Sequence, residues 1–219
     1  GLCSIHEGEI TMSTTFYYSP MSSAVIAHWA IDELGVPVEK VKLDLSKQDQ
    51  KKPEFLALNP NGKVPLLVVE GTPIFETLAI MSYLGETFGV DKGMWPATGV
   101  KRAEAMKWMA WTQVTVGEAL SRYAHAGHER FPKECHHEPS REKAKADVEH
   151  LLGILEAELV KSKRPYLLGD TFTLADLHVA GWTGYLQMMG FDLSKFPAVQ
   201  AWTQRSTQRP AFGKLMSER

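Results

Sequence analysis

The segment Asn59-Pro60-Asn61-Gly62-Lys63-Val64-Pro65, followed eleven residues later by Glu76-Thr77, constrains this chain more than any other stretch. Pro65 opens the apolar run Leu66-Leu67-Val68-Val69. A proline lacks the N–H that a central ladder needs, so it must begin a strand or precede one. An X-Pro bond at such a turn can be cis, which would turn the N–H and C=O of Val64 outward to pair with an extended peptide as an added strand does. Glu76 and Thr77 then head an amphipathic helix. The Glu76 carboxylate suits an ammonium, while Thr77 and the first N–H groups of the helix suit a carboxylate. A peptide-binding edge beside an anion-accepting helix start implies a small ligand with an α-amino-acid end.

The surrounding periodicities supply the frame. Thr14 to Tyr18 reads as a strand that stops at Ser19-Pro20. Ala24, Val25, Ala27, His28, Ile31 and Leu34 then recur at helical spacing until Gly35. Val38 to Leu45 reads as a second strand, Pro53 to Leu58 as a short helix, Leu66–Val69 and Thr72–Phe75 as a hairpin turning at Glu70-Gly71, and Glu76 to Phe88 as a helix. The order βαβαββα is that of a thioredoxin-like domain, with bounds 12–88. Residues 89–99, rich in glycine and interrupted by proline, read as a linker. Helical stripes follow over Lys101–Tyr123, Ser140–Lys161, Leu174–Met188 and Ala198–Ser206, with Pro210 opening a last short helix, so 100–219 is expected to be all-helical. Residues 1–11 lack periodicity and precede Met12, as an N-terminal extension or expression remnant would.

Charge and cysteine content exclude several classes. A formal net charge of −2 without a basic cluster argues against nucleic-acid binding. No apolar run approaches the ~18 residues of a membrane span, and a soluble cytoplasmic protein is expected. Cys3 and Cys135 make neither a C-x-x-C nor a zinc spacing. The dense stretch His125, His128, Cys135, His136, His137 is interrupted by Gly127 and Pro132 without a supporting carboxylate set, and it reads as a polar inter-helix loop with no metal. His28 reads as a core or interface histidine.

Thr173-Leu174-Ala175-Asp176 has the form of a capping box, in which Asp176 is expected to contribute about 1 kcal/mol. With Gly169-Asp170-Thr171-Phe172 before it, this stretch matches a C-terminal capping signature. Together with the Val64-Pro65 and Glu76-Thr77 pair, it makes the chain resemble the cytosolic glutathione S-transferases from about Thr14 to Met216, of a theta, phi or beta-like bacterial type. The resemblance implies an α/β thioredoxin-like N-terminal domain followed by an all-α C-terminal domain. It implies glutathione as co-substrate, no metal, a homodimer, and conjugation of the glutathione thiolate to small electrophiles. Val64 would hold the cysteinyl backbone and Glu76 with Thr77 the γ-glutamyl end. Lys51 and Lys63 would hold the glycyl carboxylate. Met21, Trp108, Trp111, Thr115 and Tyr123 would line the electrophile pocket.

Such chemistry needs the thiol ionised near neutrality. A free thiol of pKa ≈ 8.5 is only about 3% thiolate at pH 7. Lowering it by about 2 units takes ~2.7 kcal/mol, close to what one charge-assisted hydrogen bond supplies. The loop Tyr17-Tyr18-Ser19-Pro20-Met21-Ser22-Ser23 offers three candidate hydroxyls: Ser22, Ser23 and Tyr17. Counting back from Gly35, Ser23 falls where beta-class enzymes carry cysteine and Met21 where theta and phi enzymes carry serine. Ser22 reaches that serine place only if the loop is one residue shorter. Simple helix capping is the alternative role for both serines. The loop has no cysteine, which disfavours mixed-disulfide chemistry through the protein. Glutathione-dependent isomerisation, dehalogenation, peroxide reduction and two-glutathione disulfide reduction stay open, as does a non-enzymatic protein-interaction module.

Overall fold

The computed structural model describes residues 13–218. The expected extension at 1–11, with Cys3, lies outside the described residues. Strand β1 (Thr14–Tyr18) pairs in parallel with β2 (Glu39–Lys42) and antiparallel with β3 (Leu66–Val69), which pairs with β4 (Thr72–Phe75). The sheet order is β2-β1-β3-β4, and the hairpin turns at Glu70-Gly71 as the sequence predicts. β2 is shorter than its apolar pattern implies. The Asp44 carboxylate accepts from the N–H groups of Ser46 and Lys47 and curls Leu45–Lys47 into a helical turn, local capping that outcompetes the ladder.

Alternation along β1 sets its two faces. Phe16 and Tyr18 are buried with their rings 5.5 and 4.4 Å from His28 of α1 (Val25–Leu34), while Tyr17 turns to Phe55 of α2 (Pro53–Leu56) at 5.7 Å. His28 is a core residue, and burial pushes its imidazole below the usual range. Helix α1 ends at Gly35, whose φ of 65° is the left-handed conformation that glycine adopts without steric penalty. Helix α3 (Thr77–Leu84) continues as a wide π turn through Gly85–Gly89.

The helical half begins with one rod: α4 (Val100–Ala110), a π-helical stretch at Trp111–Val116, and α5 (Gly117–His125). Within it the Thr112 hydroxyl donates to the Trp108 carbonyl at 2.8 Å, a side-chain competitor for a backbone acceptor of the kind that bends helices. Then come α6 (Glu138–Ser162), α7 (Leu174–Met188), α8 (Pro197–Thr207) and α9 (Pro210–Ser217). No helix among the described residues is long and apolar enough to cross a membrane. The architecture is a thioredoxin-like sheet layer joined to an all-helical unit.

Helix α1 is buried between the two halves. A Cβ at Gly181 of α7 would lie 2.9 Å from Ile26, so glycine permits the close approach. Trp29 is fully buried against Phe172 and Phe212. Its indole N–H donates to Glu33, which also pairs with Arg209 from the start of α9. The linker contributes Trp95, whose ring sits on Gly85 and whose Cβ sits on Gly89.

Asp176 does more than cap α7. Fully buried, its carboxylate accepts from the Leu167 and Thr173 N–H groups, the Thr173 hydroxyl and the Trp202 indole N–H, at 2.8, 3.0, 3.2 and 2.9 Å. Burial pushes this carboxyl above the usual range, and the four donors pull against that. Three separate segments meet on one side chain, so the expected cap contribution of about 1 kcal/mol is corrected upward. Each donor stranded without water costs about 1–3 kcal/mol. Asp176→Ala is therefore expected to destabilise the protein by about 3 kcal/mol or more in denaturant unfolding. A loss near 1 kcal/mol would reduce the residue to a simple cap.

Candidate functional site

The sheet register determines which loops meet. Tyr17 of β1 faces Leu66 of β3, which faces Phe75 of β4, while Tyr18 faces Lys42 of β2. The chain therefore leaves β1 toward Ser22 and Ser23, enters β3 from Val64-Pro65, leaves β4 into Glu76-Thr77 and leaves β2 toward Lys51 at one sheet edge. This is the carboxyl end of the parallel pair, where open α/β sheets place their ligands.

At this edge the Val64–Pro65 bond is cis. The turn before it is built around Asn59, a buried residue. Its amide donates to the Lys63 carbonyl at 2.7 Å, and its side-chain oxygen accepts from the Asn61 N–H at 3.1 Å. Gly62 stands at φ 59°, and a Cβ there would lie 2.7 Å from the Lys51 ammonium, which donates to the Gly62 carbonyl at 3.2 Å. The turn and Lys51 are thus clamped together. Lys63 is exposed and makes no ion pair among the described residues. Asn59 was only part of a motif in the sequence, and its buried amide explains why that position sets the turn.

Glu76 stands at φ 74° and ψ 121° as the residue before α3, a conformation costing of order 1–3 kcal/mol for a non-glycine residue. Such strain at a site edge is a pointer to function. Its side chain is exposed, and the Thr77 hydroxyl beside it makes no hydrogen bond among the described residues. An exposed carboxylate beside an unbonded hydroxyl at a helix start has the chemistry to take an ammonium and a carboxylate.

The three candidate hydroxyls are in different states. Ser22 donates to the Ser19 carbonyl at 2.6 Å and accepts from the Ala24 N–H at 3.1 Å, so its hydroxyl is committed to the turn that starts α1. Exposed Ser23 donates to the Val64 carbonyl at 2.8 Å, across the site. The Val64 carbonyl, expected to be free for a peptide, is therefore already engaged by the protein. Tyr17 packs on Phe55, on the sheet face opposite α1. Met21 stands at the loop tip at φ 54°, 56% exposed.

The expected electrophile wall divides. Thr115 is exposed. Trp108 is buried edge-to-face on Trp111, 5.3 Å away, and Tyr123 packs between Phe191 and the Arg141 guanidinium. Trp108, Trp111 and Tyr123 thus belong to the helical core. The histidine-rich loop borders a surface concavity of about 500 Å³ lined in part by Arg122, His125, Cys135 and His137. Its rings hold backbone: Nδ1 of His125 meets the Ser121 carbonyl, Nε2 of His136 meets the carbonyls of His128 and Phe131, and Nδ1 of His137 caps α6.

Sequence reasoning missed a polar brace behind α4. The Gln113 side-chain oxygen in the π stretch accepts from Nε2 of His178 at 3.0 Å and from the Trp182 indole at 3.4 Å, both on α7. Nothing in the spacing links residues 65 apart. Complete burial holds the His178 imidazole down to about 3.

Residues 12–86 match the glutathione S-transferase N-terminal domain and residues 118–210 the glutathione S-transferase C-terminal domain. The chain is 32% identical over 188 residues to the glutathione S-transferase GstB of Escherichia coli K12, covering 85% of this chain and 88% of that protein. It is 28% identical over 207 residues to the disulfide-bond oxidoreductase YfcG of the same organism, covering 91% and 93%. A solved glutathione transferase of Burkholderia graminis, with two glutathione molecules bound per subunit, superposes with a TM-score of 0.82. It is 28% identical, with 94% of this chain and 88% of that one covered. Ure2p in complex with glutathione shares the fold, with a TM-score of 0.81 at 22% identity over 94% of this chain and 93% of that one. The chain belongs to the glutathione S-transferase family.

The His178 brace has a pH signature. With its imidazole at about 3 when folded and about 6.5 when unfolded, both states are neutral above pH 6.5. Below it only the unfolded chain takes the proton, so stability falls from about pH 6.5 toward 3, by up to ~1.4 kcal/mol per pH unit. His178→Gln should flatten the slope of unfolding free energy against pH over that window. Parallel slopes for the two proteins would remove His178 as its cause.

Proposed function

We propose that this chain is a glutathione transferase that joins the thiolate of glutathione to electrophilic small molecules. The convergence of Lys51, Lys63, Val64, Glu76 and Thr77 at one sheet edge supports the reading most directly. In it the cysteinyl unit of glutathione lies along the Val64 backbone as an extra strand. The Glu76 carboxylate holds the γ-glutamyl ammonium, Thr77 and the α3 N–H groups hold its carboxylate, and Lys51 and Lys63 face the glycyl carboxylate. Among the hydroxyls, Ser23 is assigned the thiolate in place of Ser22 and Tyr17, because Ser22 is spent on its turn and the Tyr17 ring lies against Phe55, on the sheet face away from the loop at the start of α1. Met21 and Thr115 are the assigned apolar and polar borders for the electrophile, with Trp108, Trp111 and Tyr123 supporting them from the core. Thiolate supply alone raises rate modestly, since nucleophilicity falls as pKa falls, and positioning supplies the rest.

A second reading draws on the similarity to the disulfide-bond oxidoreductase YfcG. Two glutathiones would reduce a small disulfide without a protein thiol, giving two thiols and one glutathione disulfide. We further assign the working form to a cytoplasmic homodimer, which light scattering would refute by returning the mass of one chain.

One set of measurements separates these readings. Calorimetric titration with glutathione should show binding, and Glu76→Ala should weaken it about tenfold, as losing a charge-assisted hydrogen bond does. Turnover with an aryl halide should consume one glutathione per product and leave no glutathione disulfide. Disulfide accumulation would move the activity to the second reading. Absence of binding would remove both and leave the interaction module.

A further inference from the structure

We infer that glutathione itself releases Ser23 for catalysis, by displacing its hydroxyl from the Val64 carbonyl. The hand-over rests on glutathione lying along Val64, as proposed above. In the free protein the Ser23 hydroxyl donates to Val64 O at 2.8 Å. That oxygen is the acceptor which strand-like pairing offers to the cysteinyl N–H. The two donors are thus directed at one carbonyl oxygen.

The contrast with Ser22 decides which serine can move. Ser22 both donates to Ser19 and accepts from Ala24 within its own turn. Reorienting it would open the start of α1. Exposed Ser23 has one hydroxyl contact among the described residues, and rotation about one side-chain bond among three staggered wells frees it. The sulfur of glutathione is three bonds from the cysteinyl nitrogen. A nitrogen seated on Val64 O therefore brings the sulfur to the hydroxyl that has just lost its acceptor. The Ser22 and Ser23 backbone N–H groups have no acceptor among the described residues, so the released hydroxyl has company in holding a thiolate.

The hand-over makes an unusual demand on a variant. Deleting the hydroxyl removes a competitor from Val64 O and, at the same time, the donor to the sulfur. S-methylglutathione separates the two effects, because it has the cysteinyl N–H and no ionisable thiol. Ser23→Ala should bind S-methylglutathione about 2- to 5-fold more tightly, the equivalent of up to one neutral hydrogen bond. With glutathione, the same variant should raise the pH midpoint of the bound-thiolate absorbance near 240 nm by about 1–2 units and lower kcat at least tenfold. Ser23→Thr, which keeps a hydroxyl, should restore the midpoint. A serine that merely ties the Val64 corner to α1 would give the reverse: weaker binding of both ligands, a lower Tm and an unmoved thiolate midpoint. Either unchanged or weakened S-methylglutathione binding in Ser23→Ala would overturn the hand-over, as would an unmoved midpoint. Failure of the unsubstituted protein to bind glutathione would instead overturn the reading beneath it.

Discussion

Everything at the site depends on the register row Tyr17, Leu66, Phe75 across three strands of the sheet. A slip of one residue would exchange the faces of β1, sending Phe16 and Tyr18 away from α1 and Tyr17 into the core. Burial of Phe16 and its register partner Leu67 on one face therefore fixes which loops share an edge. Only after that do Val64, Glu76, Ser23 and Lys51 stand at one end of the sheet. None of these four is remarkable alone: a strand entry, a helix cap, a turn serine and a surface lysine.

Helix α1 transmits this order to the rest of the molecule. Its start carries the serine loop, its middle carries Trp29 under Phe172 and Phe212, and its end is tied by Lys92 to the Leu34 carbonyl. Because Gly181 lets α7 approach Ile26 closely, the helical unit sets the tilt of the helix that presents Ser23. The brace of Gln113, His178 and Trp182 then holds α7 against the π stretch. Such a buried polar trio holds a packing through its satisfied bonds to Gln113, while Nδ1 of His178 lies buried without a partner among the described residues.

The sequence made the elements legible and left the cross-links hidden. The hairpin at Glu70-Gly71 and the span of α7 could be read because strand alternation, turn residues and a capping box are local signals. β2 was overread because an apolar pattern does not reveal that Asp44 will cap the next turn. The π stretch was invisible for the same reason, since a stripe of apolar residues tolerates one widened turn. The motif from Asn59 to Pro65 pointed to the candidate site, whereas the bond from Ser23 to Val64 joins residues 41 apart. Periodicity says which face is buried; it says nothing about which polar atoms meet across that burial. That is why the sequence left Ser22, Ser23 and Tyr17 all as candidate hydroxyls, with Ser22 named first, and why the four donors on Asp176 were valued as one cap.

The linker tryptophan carries a consequence for how this chain can be taken apart. Trp95 fills the hollow left by Gly85 and Gly89, where an added Cβ would strike the Trp95 ring at Gly85 and the Trp95 Cβ at Gly89. A fragment ending before residue 95 would leave that hollow open to water, with the Trp29 surface bare as well. The sheet layer is thus an unfinished protein by itself, and a chimera that exchanges helical halves between relatives must carry this tryptophan along with its glycine socket.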